Sequence, residues 1–260
     1  MKQKLMLGVL IVSVLGFMLT GCTMVSGSGR LAEEDRQVKD FTGVTLAGIG
    51  TLHIDLGREE SLRIEAEDNL LRYLTAEVND GHLCIGVELG VSLHNTRPIH
   101  FYLTVKSLDS ITLSGSGKVI APELDAETLS VTVSGSGDVE LGQVEAGQVR
   151  FKISGSGDMQ VQEIRAAALD LNLSGSGRVE VIGGQVERQN ILISGAGHYL
   201  ADTVSSDEVN VRVTGSGRAA VEVQDRLDAT ISGSGDVEYV GQPAVVTRIS
   251  GSGRVRQIGG

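Results

Sequence analysis

The chain of 260 residues has no tryptophan, four tyrosines and four phenylalanines. A sugar-cleaving site built on aromatic platforms has little to draw on, since Tyr73, Tyr102, Tyr199 and Tyr239 are scattered. Cysteine is almost missing too. Cys22 and Cys84 are the two present, they form no Cys-x-x-Cys, and no zinc ribbon or dithiol redox centre is encoded. The histidines, His53, His82, His94, His100 and His198, include no pair at the spacing of a helical zinc site. Basic residues are short as well, 22 against 33 acidic. Such a balance disfavours nucleic acid and anionic lipid surfaces as partners. There is no Gly-x-Ser-x-Gly elbow. There is no phosphate loop either, because Val119, not Ser or Thr, follows the glycine-rich corner and Lys118.

Glycine, in contrast, is abundant, with 35 residues, and it is ordered. Ser-Gly-Ser-Gly or a close variant begins at Ser114, Ser134, Ser154, Ser174, Ser194, Thr214, Ser232 and Ser250. The first six copies are 20 residues apart and the last two follow at 18. A fixed period of this size marks one structural unit stacked on itself. Before each motif runs a period-two alternation, such as Leu129, Val131, Val133 or Val149, Phe151, Ile153, with polar residues between. A second alternation follows, as in Val139, Leu141 or Met159, Val161. Alternation of this kind is a strand with one buried face, and a disordered glycine-rich linker lacks it.

Each unit therefore reads as strand, tight corner, strand and a looser return such as Gln143 to Gln148. Twenty residues are too few for a strand-helix-strand crossover of roughly 30. They predict one coil of an all-β fold, a right-handed parallel β-helix or β-solenoid over 111–260, eight coils long at about 4.8 Å each. The corner glycines are Gly115, Gly117, Gly135, Gly137, Gly155, Gly157, Gly175, Gly177, Gly195, Gly197, Gly215, Gly217, Gly233, Gly235, Gly251 and Gly253. Both positions of each corner are expected to need positive φ, which glycine adopts without a Cβ clash.

The residue after each corner forms a column: Lys118, Asp138, Asp158, Arg178, His198, Arg218, Asp236 and Arg254. A calcium-binding β-roll also repeats Gly-x-Gly-x-Asp, but it needs an oxygen ligand in every turn. Here half the column is basic, so a solvated ladder of neighbouring opposite charges is expected instead. No metal, cofactor or catalytic residue is assigned.

At the amino terminus Lys2 and Lys4 precede an apolar run from Leu5 to Leu19, interrupted by Gly8, Ser13 and Gly16. Fifteen residues are short for a membrane span of about 20 and suit a signal-peptide core. Leu19-Thr20-Gly21-Cys22 resembles a bacterial lipobox. The resemblance implies a signal peptide over 1–21 and lipidation of Cys22, and several acyl chains anchor a protein stably. Thr23 in place of Asp after the cysteine points to the outer membrane, with the periplasmic or surface face left open. Without the leader, 20 basic residues face 33 acidic ones, a net charge of −13. The segment 22–36 mixes Ser, Gly and charge and reads as a flexible tether. Cys84, within Leu83-Cys84-Ile85-Gly86-Val87, reads as a quiet strand residue.

Over 37–110 the repeat fades, and an N-terminal β region is expected. Val44-Thr45-Leu46-Ala47-Gly48-Ile49-Gly50-Thr51-Leu52-His53-Ile54 is laid out like Ile111 to Ala121 and reads as a degenerate copy. Asp68 to Leu74 has the spacing of a short helix. Val38 to Val44, Glu65 to Leu71, Glu77 to Ile85 and the Ser-Gly-Ser-Gly-Asp-Val coils together resemble the head GIN domain family of auto-transporter adhesins, over 37–260. The resemblance implies a secreted or lipid-anchored β-solenoid and supplies no catalytic residue to map.

Two functional readings stand. One is a non-enzymatic, membrane-anchored envelope lipoprotein with a binding or structural, adhesin-like role and a protein or glycan ligand. The alternative is a β-helix enzyme acting on an acidic polysaccharide, with the loop Glu88 to His100 as the place to look. At the other end, Ile249 to Ile258 has no capping pattern after it. Either Arg254 and Arg256 keep that edge solvated, or it pairs weakly end to end with a second copy.

Overall fold

A computed structural model describes residues 23–259, so the expected leader and Cys22 lie outside the described residues. The chain is almost all strand. In the N-terminal part these are β1 (Thr23–Ser26), β2 (Leu31–Arg36), β3 (Gly43–Gly48), β4 (Thr51–Leu56), β5 (Ser61–Glu67), β6 (Leu74–Asn79), β7 (His82–Val87), β8 (Val91–His94), β9 (His100–Val105) and β10 (Ser110–Gly115). Three long strands follow, β11 (Lys118–Gly135), β12 (Asp138–Gly155) and β13 (Asp158–Gly175), and the later coils are broken into shorter pieces.

The repeat is a parallel β-solenoid of about eight turns. Each residue pairs with the residue one repeat later, Val131 with Phe151 and Phe151 with Leu171, for example. Identical inward positions thus stack into columns. Val44, Ile111, Val131, Phe151, Leu171, Ile191, Val211 and Ala229 form one, and all are buried. Burying each such aliphatic side chain is worth about 1.5–3 kcal/mol, and a narrow tube leaves room for few aromatics.

The degenerate copy is the first turn of the same stack. β3 pairs with β10 and β4 with β11, joining Val44 to Ile111, Gly48 to Gly115 and Leu52 to Val119. The chain between these copies caps the stack. β7 and β9 add a further parallel layer beneath β3 and β4. β5 and β6 then run antiparallel to β9 and β7, and β2 runs antiparallel to β5. Antiparallel cover of this kind removes an open parallel edge. The expected short helix is one 3-10 turn, Leu71–Tyr73.

Three expectations need correction. The segment 22–36 is no tether over its described part: β1 pairs with β8, and β2 pairs with β5 from Leu31 to Arg36. Its charged residues are those of an edge strand with one face in water. The return segments are not loose either. Gln143, Val144 and Glu145 pair with Glu163, Ile164 and Arg165, and Leu124, Val144 and Ile164 are buried. Finally, the two corner glycines differ. The first of each pair has positive φ, +117° at Gly195, while the second does not. A Cβ on Gly197 would instead lie 2.7 Å from Leu173 Cδ2 and 2.9 Å from the Gly177 carbonyl oxygen. The second glycine is required by the close approach of the coil below.

Candidate ligand-binding groove

The strand before each corner turns its polar positions outward, and the stack brings them together although they lie 18 or 20 residues apart. One outward column runs Arg150, Asp170, Asn190, Asn210, Asp228, and the next runs Asn172, Leu192, Arg212, Thr230, Arg248. Together they line a groove of about 710 Å³. Its floor is a chain of side-chain hydrogen bonds. Asn210 Nδ2 donates to Asn190 Oδ1 at 3.3 Å, Asn190 Nδ2 to Asp170 Oδ1 at 3.0 Å, and Gln148 Nε2 to Asp170 Oδ2 at 3.1 Å.

Charge is fixed at both ends. Arg150 lies 3.9 Å from Asp170. Asp228 accepts from Arg226 at 2.7 and 3.0 Å and lies 3.5 Å from Arg248. The hydrogen bonds from Arg226, with the Arg226 and Arg248 charges, hold the Asp228 carboxyl below its ordinary range. Arg212 has no carboxylate partner among the described residues. Leu192 is the exposed apolar member between the amides and the arginines. The groove therefore offers amide donors and acceptors, a free guanidinium and one apolar contact. No serine, cysteine or histidine lines it.

The sequence-predicted positions fall elsewhere. The column after the corners is a ladder in register, with Arg178 3.8 Å from Asp158 and Arg254 3.9 Å from Asp236. Lys118 reaches Glu140 at 2.6 Å instead of Asp138, and Arg218 reaches Glu238 at 4.0 Å. The exposed pairs among these, Arg178–Asp158 and Lys118–Glu140 for example, contribute about 0–1 kcal/mol each, while Glu238 is buried. Cys84 is a free, outward residue of β7, as a strand thiol. Among the described residues no group of three or more His, Cys, Asp or Glu is placed to hold a metal ion. His53 and His100 do meet, with Nε2 and Nδ1 3.1 Å apart, and His53 stacks on Tyr102. Burial and the neighbouring His100 push the His53 pKa down.

The segment Glu88 to His100 is a turn, β8 and a clasped loop. The clasp is Glu67, which is buried. Its carboxylate accepts from Thr96 Oγ1 at 2.6 Å and from the backbone N–H of Thr96 at 2.8 Å, Gly29 at 2.6 Å and Arg97 at 3.4 Å. The Thr96 hydroxyl foremost, with the three N–H groups, lowers its pKa from 4.5 to about 2 against the opposing effect of burial. A depressed folded pKa stabilises above the unfolded value and is lost as pH falls through the folded one. The Thr23–Arg30 segment is thus expected to be held at pH 5 and above and released as pH drops from about 4.5 towards 2. Hydrogen exchange at Gly29 and Thr96 measures this. Glu67→Gln should show the fast exchange already at neutral pH, with the coils beyond Ile111 unaffected.

The groove residues were missed from the sequence because an outward polar residue is unremarkable in any single strand. The signal lies in the sequence: the fourth residue before each of the five motifs from Ser154 to Ser232 is Arg150, Asp170, Asn190, Asn210 and Asp228 in turn.

Comparison with known proteins decides the family. The family model described as "Putative auto-transporter adhesin, head GIN domain" matches residues 40–162 and again 142–243. The chain belongs to this family. An adhesin of Parabacteroides merdae, described as putative, is similar in structure, with a TM-score of 0.86 and 27% identity over 91% of this chain and 99% of that one. A protein of Parabacteroides distasonis described as a putative lipid binding protein gives a TM-score of 0.86 and 26% identity over 91% of this chain and 100% of its own. A Bacteroides fragilis adhesin, also described as putative, shares the fold at a TM-score of 0.68 and 20% identity, over 90% of this chain and 100% of its own. No curated protein matches the chain.

Proposed function

We propose that this head GIN domain protein is a non-enzymatic, adhesin-like binding protein of the bacterial envelope. Lipidated Cys22 holds it on the membrane, the outer membrane in a two-membrane cell. The Asp170–Asn190–Asn210–Asp228 face is its ligand contact. The observation that carries this reading is the groove itself. It is a polar, hydrogen-bonding hollow of about 710 Å³, lined by successive coils from Arg150 to Arg248. Its amides and Arg212 suit a ligand with many hydrogen-bonding groups, a glycan or a polypeptide. Recognition by such groups requires no bond to be made or broken, and the groove's fixed geometry limits the entropy lost on binding.

Site-specific crosslinking on intact cells tests both parts. A diazirine amino acid replacing Asn210 is expected to give a discrete adduct, and the same group replacing Glu145 on another face is expected to give none. Equal yields from both positions would remove the groove from the account. In the same cells an alkynyl palmitate should label the wild-type chain and not Cys22→Ala, and labelling of both would remove the anchor.

A further inference from the structure

The described residues begin beside a turn, Glu88-Leu89-Gly90-Val91, that carries a fully exposed leucine at its tip. Glu88 to Val91 is closed by Val91 N–H donating to Glu88 O at 3.1 Å, with Gly90 at φ +80°. Leu89, at the tip, is 100% exposed. Turn tips of this kind favour Pro, Asn, Asp, Ser or Gly. Thr23 N–H donates to the Gly90 carbonyl oxygen at 2.8 Å, and β1 continues along β8 with Thr23 beside Val91 and Met24 beside Ser92. Met24 is 74% exposed. Cys22 is therefore one peptide from a backbone hydrogen bond to this turn. Tyr73 is adjacent, since its carbonyl accepts from Glu88 N–H at 2.8 Å, and the exposed Arg72 guanidinium lies 4.7 Å over the Tyr73 ring.

Single exposed apolar residues are ordinary on a soluble surface. Here the two most exposed of the large apolar side chains lie on β1, which follows Cys22 in sequence, and on the turn to which Thr23 is hydrogen-bonded. Tyr73 and Arg72 beside them are of the types that settle at a bilayer interface, with an apolar body and a polar tip. We propose that the Glu88–Val91 turn and β1 are the membrane-contacting end of the protein, with Leu89 and Met24 entering the bilayer interface next to the lipid on Cys22. The proposal rests on the reading that Cys22 is lipidated. It fixes how the solenoid stands on the membrane, because three attachment points resist rolling where a lipid alone acts as a swivel. With a net charge of −13 the mature chain is repelled by anionic lipid, so the attraction at this contact is apolar and not electrostatic.

The absence of tryptophan makes the test direct. The chain from Cys22 with Cys84→Ser is coupled through its one thiol to a dialkyl maleimide lipid and placed on phosphatidylcholine vesicles bearing brominated acyl chains. Leu89→Trp emission is expected to shift to the blue and to be quenched several-fold more than that of Ile182→Trp, an exposed site further along the stack. Because tryptophan itself favours interfaces, Met24→Trp is measured with Leu89 intact and with Leu89→Asp. Its quenching should fall by at least half in the latter. Equal quenching at positions 89 and 182, or no effect of Leu89→Asp, overturns the proposal while leaving lipidation intact. Absence of palmitate label on Cys22 in cells overturns the anchor, and this proposal with it, whatever the vesicles show.

Discussion

Gly195→Ala is expected to lower stability by about 4 kcal/mol, the sum of a backbone strain of about 1–3 and an overpacking cost of about 1–3 kcal/mol. The two costs have separate structural causes. Gly195 holds φ +117°, and a Cβ there would lie 2.6 Å from the Gly175 carbonyl oxygen of the preceding coil. That oxygen belongs to a corner which is itself stacked, so it cannot retreat without opening the layer beneath. Gly48, the same position in the first turn, has φ +111° but nothing within 4 Å of its Cβ. Gly48→Ala should therefore carry the strain alone, about 1–3 kcal/mol. Gly197 has the reverse situation, contact without positive φ, and Gly197→Ala should cost about 1–3 kcal/mol through Leu173 and the Gly177 carbonyl. Urea unfolding followed by far-ultraviolet circular dichroism gives the order. Gly195→Ala should have the lowest midpoint of the three. A midpoint equal to that of Gly48→Ala would mean that coil-to-coil contact does not set the need for the first glycine.

Much of this was legible because the fold repeats. Alternation at Leu129, Val131 and Val133 names a buried face, and a period of 20 and then 18 residues carries it from coil to coil. The match of Val44–Ile54 to Ile111–Ala121 even supplied the register with which β3 and β4 join the stack. What the repeat could not show is the reason for each glycine, since strain and close approach select the same residue. The N-terminal cap was less legible for a different cause. Leu31-Ala-Glu-Glu-Asp-Arg36 has the composition of a tether, and an antiparallel edge strand with one wet face has that composition too. Pairing to β5 is non-local and leaves no local mark. The same holds for Glu67, which looks like any strand carboxylate until the loop from Thr96 closes over it.

The repeat also conceals a substitution that breaks it. Gln189 occupies the inward column of Leu129, Val149, Leu169, Val209 and Leu227, and it is buried. Tyr199, in the column of Val179 and Ala219, is fully buried beside it. The tyrosine hydroxyl donates to Gln189 Oε1 at 2.6 Å, and Gln189 Nε2 donates to Ser206 Oγ at 2.6 Å. Burial pushes the Tyr199 pKa up, so the phenol stays a donor. An unpaired buried polar group costs about 1–3 kcal/mol, whereas replacing both partners by apolar groups of similar shape is nearly neutral. Tyr199→Phe, which strands the Gln189 oxygen, and Gln189→Leu, which strands the tyrosine hydroxyl, are each expected to destabilise by about 1–3 kcal/mol. The double variant should cost less than the sum by about 0.5–3 kcal/mol, the range for residues in contact. Strict additivity in urea unfolding would mean that Tyr199 and Gln189 do not act as a unit. Gln189 lies next to Asn190, whose amide faces outward at the centre of the groove. The same variants should therefore lower the yield of the crosslink formed from position 210, because the buried hydrogen bonds fix the backbone from which the groove's amides project.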